Sequence, residues 1–118
     1  MGNSYVTHGM REIRYHVGPG GLQPFATWFA ELDAIARAKV TRAIARLEQG
    51  NFSNVKSVGE GVLEYRIDFG PGYRVYFGRD GAALIILLTG GTKKRQQRDI
   101  DNAHAYWQAY KASRPRRR

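Results

Sequence analysis

Arg66 and Arg74 stand eight positions apart, on either side of the turn Gly70-Pro71-Gly72, with Glu64, Asp68 and Tyr76 close by and Lys93-Lys94-Arg95 further on. Guanidinium groups bind phosphate through paired hydrogen bonds and stabilise the added charge of a pentacoordinate phosphorus. A tyrosine stacks on a base or passes a proton. A lysine cluster adds charge. These residue types suit RNA strand cleavage. They equally suit surface ion pairs of Arg66 with Asp68 or Glu64, which contribute little.

No other constellation competes. His8, His16 and His104 lack metal-ligand spacing, and the chain has no cysteine. His104 falls beside an apolar helix stripe and reads as a packing residue. Ser4, Ser53, Ser57 and Ser113 have no nucleophile-elbow context. Gly70-Pro71-Gly72 reads as a hairpin turn. Gly90-Gly91 reads as a plain loop, or as backbone N–H groups offered to a phosphate; neither carries a nucleotide fingerprint.

The elements that must position these residues follow from periodicity. Glu12 to Val17 alternates as a half-buried strand, and Gly18-Pro19-Gly20-Gly21 breaks it. Phe25, Trp28, Phe29 and Leu32 share one helix face behind Pro24. A second helix is expected over Ala34 to Gln49. Ile35, Val40, Ile44 and Leu47 form its apolar stripe, Lys39, Arg42 and Arg46 a basic stripe beside it, and Gly50 its stop. Strands are expected at Leu63–Phe69, Tyr73–Phe77 and Leu84–Leu88, with Asp80-Gly81 as a hairpin signal and Thr89-Gly90-Gly91-Thr92 as the end of the last strand. A final helix runs from about Gln96 to Ala112, with Ile100, Ala103, Trp107 and Tyr110 on one face.

The order β-α-α-β-β-β-α predicts an α+β fold: a helical hairpin on one face of a mainly antiparallel four-stranded sheet, with a C-terminal helix. Phe25, Trp28, Phe29, Tyr65, Phe69 and Phe77 are the expected core aromatics. The opposite sheet face, carrying Arg14, His16, Glu64, Arg66, Asp68, Arg74 and Tyr76, is then expected to be wet and concave.

With 118 residues the chain suits one domain, expected over 10–112; residues 1–9 read as a disordered extension ahead of Met10, and 113–118 as a basic tail. No apolar run approaches the length of a membrane span, the longest being Ala82 to Leu88, and no secretory signal opens the chain. With the lack of cysteine, this suits the cytoplasm. The net charge is +9; residues 93–118 hold nine Lys/Arg against two acids, so most of the excess sits at one end. Such a field draws polyanions, nucleic acid above all, or serves as a solvated tail.

The stretch GEGVLEYRIDFGPGYRVYFGRDGAALIILLTGGTKKRQQR (Gly59–Arg98), extended by PFATWFAEL and LEQGNFSNVKSVGEG before it and DIDNAHAYWQAYK after it, resembles the addiction-module killer proteins. These are HigB-like and phage Gp49-like members of the RelE/ParE toxin superfamily. The resemblance implies a type II toxin, masked by an antitoxin bearing a helix-turn-helix. It implies that the chain is a metal-independent mRNA endonuclease without a cofactor, cutting in the ribosomal A site by attack of the 2′-hydroxyl on the adjacent phosphate. Relatives that poison DNA gyrase, or an RNA-binding relic without catalysis, are the alternatives. By position the resemblance assigns the phosphate-handling arginines to Arg66 and Arg74 and the basics past the fourth strand to Lys93, Lys94 and Arg95. Two positions depart from the pattern: Asp68 replaces a lysine, and Ile100 falls where a tyrosine is usual. Asp68 and Tyr76 are the candidate substitutes for the missing base and acid. Catalysis is thus expected of Arg66, Arg74, Lys94, Asp68 and Tyr76, and RNA binding of Lys93, Arg95, Arg98, Lys39, Arg42 and Arg46.

Overall fold

The computed structural model describes residues 10–114; the expected extension 1–9 and most of the basic tail lie outside them. The elements are β1 (Glu12–Tyr15), α1 (Pro24–Ala30), α2 (Ala34–Glu48), β2 (Val55–Ser57), β3 (Leu63–Ile67), β4 (Tyr73–Asp80), β5 (Leu84–Thr92) and α3 (Gln96–Ser113), with single 3-10 turns at Pro19–Gly21 and Lys93–Arg95. The fold is α+β, as the periodicity predicts. None of the described helices is long and apolar enough to cross a membrane.

Three features of the sheet correct the expectation. It has five strands, in the order β1-β5-β4-β3-β2. The added strand, β2, is three residues of mixed polarity at an edge, too short to show alternation. The sheet is also mixed: β1 runs parallel to β5, with Ile13 opposite Ile85, while every other pair is antiparallel. Lastly, β5 does not end at Leu88 but continues through Gly90 and Gly91 to Thr92. A register shift pairs Phe77 with Leu87 and Tyr76 with Thr89, leaving Leu88 as an extra residue on β5. Such a bulge resets which face each later side chain meets.

Helices cover both faces. Against one, α1 and α2 bury Phe25, Val40, Ala43 and Leu47 onto Tyr65, Val75, Phe77, Ile85 and Leu87. Against the other, α3 buries Ala103 and Trp107 onto Val62, Tyr76, Ile86 and Leu88. The face expected to be wet is therefore largely roofed by the C-terminal helix. His104 Nε2 donates to the Val58 carbonyl at 2.9 Å, and Tyr110 and Arg114 bind Asp80 at 2.7 and 2.9 Å, fixing α3 along its length.

Local signals explain the helix bounds. Pro24 opens α1 where a missing N–H costs nothing. Asp33 caps α2 by accepting from the Ala36 N–H at 2.9 Å, which separates the two helices without a glycine or proline. Gly50, at φ +81°, turns the chain out of α2. Two expected core residues are not core. Ile35 lies in the first turn of α2, points away from the sheet and is 63% exposed; Ala36 is buried in its stead. Phe69 lies past the end of β3 and is exposed, with the Lys39 ammonium 4.5 Å from its ring centre.

Gly90 is glycine for want of space. The Trp28 ring of α1 packs directly on it, where a Cβ would overlap ring carbons. Gly90→Ala must push α1 off the sheet and is expected to cost about 1–3 kcal/mol, as overpacking typically does; urea denaturation checks this, and a neutral result would mean that α1 shifts freely. His16 supplies a second test. It is buried under α3 against Tyr106, with ring centres 5.5 Å apart. Burial lowers its pKa from the usual 6.5. The unfolded chain thus binds the proton more tightly, so stability is full above about pH 6.5 and falls as the pH drops below it. Urea midpoints measured from pH 7.5 to 5.5 should show this decline, and His16→Asn should lessen it.

Candidate RNA-binding cleft and the buried carboxylate beside it

The register confirms one spatial expectation: Arg66 on β3 and Arg74 on β4 are direct cross-strand partners. Cross-strand partners share a sheet face, with Cβ atoms about 5 Å apart. Their surroundings differ. Arg66 is exposed, whereas Arg74 is only 4% exposed. The Arg74 Nη1 donates to the Gly72 carbonyl at 2.9 Å, and its Nε lies 3.7 Å from Glu64 Oε2. The Lys93 N–H donates to the same Gly72 carbonyl at 2.9 Å, so the β3–β4 turn ties Arg74 to the start of the Lys93–Arg95 turn.

Tyr76 is wholly buried and donates its hydroxyl to Glu64 Oε2 at 3.0 Å. Gln96, at the first position of α3, donates to the same oxygen at 2.8 Å. Burial, reinforced by the Glu64 carboxylate, pushes the Tyr76 phenol far above its ordinary value, so it stays a protonated donor. The expectation that Arg74 and Tyr76 line a wet surface is therefore corrected: both point into a polar pocket closed by α3. Glu64, read from sequence as a surface ion-pair partner, is the centre of that pocket. Its alternation with Arg66 puts it on the correct face, but only the docked helix reveals its burial. Glu64 Oε1 and Arg74 Nε have no hydrogen-bond partner among the described residues.

The open site lies on the other side of Arg66. An open cleft of about 540 Å³ runs between α2 and the β2–β3 edge. Lys39, Arg42 and Arg46 line it from α2, Lys56 from β2, and Arg66, Asp68 and Phe69 from β3 and its exit. Arg46 Nη1 reaches the Tyr65 hydroxyl at 3.4 Å. The α2 basic stripe and the Arg66/Asp68 pair, read from sequence as separate groups, meet here. Lys56 was missed, because a lone lysine in an irregular stretch carries no pattern. Lys93, Lys94, Arg95 and Arg98 are exposed around the entry to α3 and do not line this cleft. Among the described residues no three His, Asp or Glu side chains converge to hold a metal ion.

The geometry separates two kinds of variant. Tyr76→Phe strips a buried carboxylate of a donor and is expected to cost about 1–3 kcal/mol. Arg66→Ala removes an exposed side chain and is expected to stay within about 0.5 kcal/mol. Denaturation curves of the two decide whether Tyr76 serves structure as argued.

Comparison with known proteins places the chain. It is 46% identical over 80 residues to an uncharacterized protein of Haemophilus influenzae, covering 67% of this chain and 81% of that one. The family model described as phage-derived protein Gp49-like matches residues 27–108, from α1 through most of α3. The chain therefore belongs to the Gp49-like family of phage-derived proteins, a family associated with toxin–antitoxin modules.

Proposed function

We propose that this protein is the toxin of a type II toxin–antitoxin module, a cytoplasmic, metal-independent endoribonuclease that cuts mRNA on the ribosome and is masked by a helix-turn-helix antitoxin. The observation that carries this reading is the cleft between α2 and the β2–β3 edge, whose lining includes five cationic residues, one carboxylate residue and an exposed phenylalanine. Cations so placed attract a phosphate backbone, and an exposed ring offers a stacking surface to a base.

Within the cleft, Arg66 holds the scissile phosphate and stabilises charge on its oxygens. Asp68 takes the proton of the 2′-hydroxyl as its oxygen attacks phosphorus; the P–O5′ bond breaks, leaving a 2′,3′-cyclic phosphate, and solvent water in the open cleft protonates the departing 5′-oxygen. Lys39, Arg42, Arg46 and Lys56 track the strand. Lys93, Lys94, Arg95 and Arg98 form a second positive rim that draws ribosomal RNA. Arg74 and Tyr76, being buried, act by fixing β3 and β4 beneath Arg66 and not by touching substrate. That burial also favours a second reading, in which the protein binds RNA without cutting it.

The two readings part in one experiment. The chain is expressed alone, and mRNA ends are mapped by primer extension. Cuts in translated messages, with growth arrest, are expected; Arg66→Ala should abolish both while the protein stays folded. Growth arrest with intact messages would reject cutting, and a supercoiling assay on the same cells would then test gyrase as the target. Arg42→Ala is expected to weaken single-stranded RNA binding uniformly across sequences and to reduce its salt dependence.

A further inference from the structure

A second cleft, of about 480 Å³, opens on the far side of the sheet edge, between α1, the end of β5 and the first turns of α3. Its floor exists because β1 and β5 part company. Pairing ends at Tyr15 opposite Leu87, so β5 has no strand alongside it from Leu88 to Thr92 on that edge. Gly90 and Gly91 carry no side chain and are buried beneath neighbours from the two helical layers. The Trp28 ring is seated on Gly90, and the Asp99 carboxylate on Gly91. Arg95 and Arg98 stand at the rim with Glu31.

The chemistry here differs from that of the first cleft. Within the cleft itself two cations, Arg95 and Arg98, are matched by two carboxylates, Glu31 and Asp99, so its lining is not selective for a phosphate chain alone, whatever the neighbouring Lys93 and Lys94 attract. The ligand must bring an anionic end for the arginines and N–H donors for a carboxylate. Asp99 accepts no hydrogen bond from the described residues, although partial burial raises its pKa against the opposing pull of Arg98 and Arg95. Guanine is the RNA base with two adjacent donors, N1–H and the N2 amine, that can meet both oxygens of one carboxylate. Adenine and cytosine set an acceptor beside their amine, and uracil flanks its single N–H with carbonyls. A flat base also suits an indole wall. The volume lies within the range of small-ligand sites.

We propose that this cleft binds a guanine nucleotide, with Asp99 reading the base, Trp28 lining it and Arg95 and Arg98 holding the phosphate. The inference deepens the RNA reading by naming the base selected, but it does not require that the protein cut RNA.

The test titrates the full chain with GMP, AMP, CMP and UMP by calorimetry at moderate salt. GMP is expected to bind at least about tenfold more tightly than the others, in line with one bidentate contact. Asp99→Asn should remove that preference. Arg98→Ala should weaken GMP while leaving guanosine unchanged, which keeps the idea testable if the Asp99 variant folds poorly. Equal binding of all four nucleotides, a preference that survives Asp99→Asn, or no binding at millimolar GMP would each overturn the proposal. Arg66→Ala, whose change lies in the other cleft, should bind GMP as wild type; loss of RNA cutting with GMP binding retained supports this site independently of catalysis.

Discussion

One buried carboxylate organises this protein. Glu64 sits on β3, takes hydrogen bonds from Tyr76 on β4 and Gln96 on α3, and lies within ion-pair range of Arg74. Removing a charge from water is costly unless donors surround it. Once the chain places Glu64 beneath α3, its neighbours are constrained: Tyr76 must stay protonated, Gln96 must open α3 at that point, and Arg74 must turn inward. The long Arg74–Glu64 separation, 3.7 Å, makes this a loose ion pair, and a buried ion pair is weak evidence of stabilisation.

That constraint divides the basic residues into working groups. Arg74 belongs to the interior and serves as scaffold. Arg66, its strand partner, is left outside, where it joins α2 across an open cleft. The Lys93–Arg95 turn is held to the same hairpin through the Gly72 carbonyl, which keeps its cations at the sheet's end. A strand row that would otherwise present two equivalent arginines presents one exposed and one sealed.

The bulge at Leu88 has a comparable reach. It lets β5 continue past the apolar run with Gly90 facing α1 and Gly91 facing α3. The two bare positions then admit a tryptophan from one layer and a carboxylate from the other. Since β1 stops short of this stretch, no strand pairs with β5 on that edge. A dipeptide that looks like a loop is in this way the floor of a cleft.

Much of the molecule is legible in its residues. The 3.6-residue spacing of Phe25, Trp28 and Phe29, the alternation around Arg66 and Arg74, and the Gly-Pro-Gly turn between them dictate the helix, the hairpin and the pairing of the two arginines, because these are local consequences of backbone geometry. Burial is not local. Ile35 and Phe69 are apolar but lie just beyond the reach of the opposing layer, whereas Glu64 and Arg74 are charged yet roofed by a helix some thirty residues further on. The parallel pairing of β1, the short edge strand β2 and the meeting of Lys39, Arg42 and Arg46 with Arg66 depend on where separate elements come to rest. Composition alone determines that the chain carries a large positive excess; only the packing of α3 onto the sheet decides which cations stay exposed.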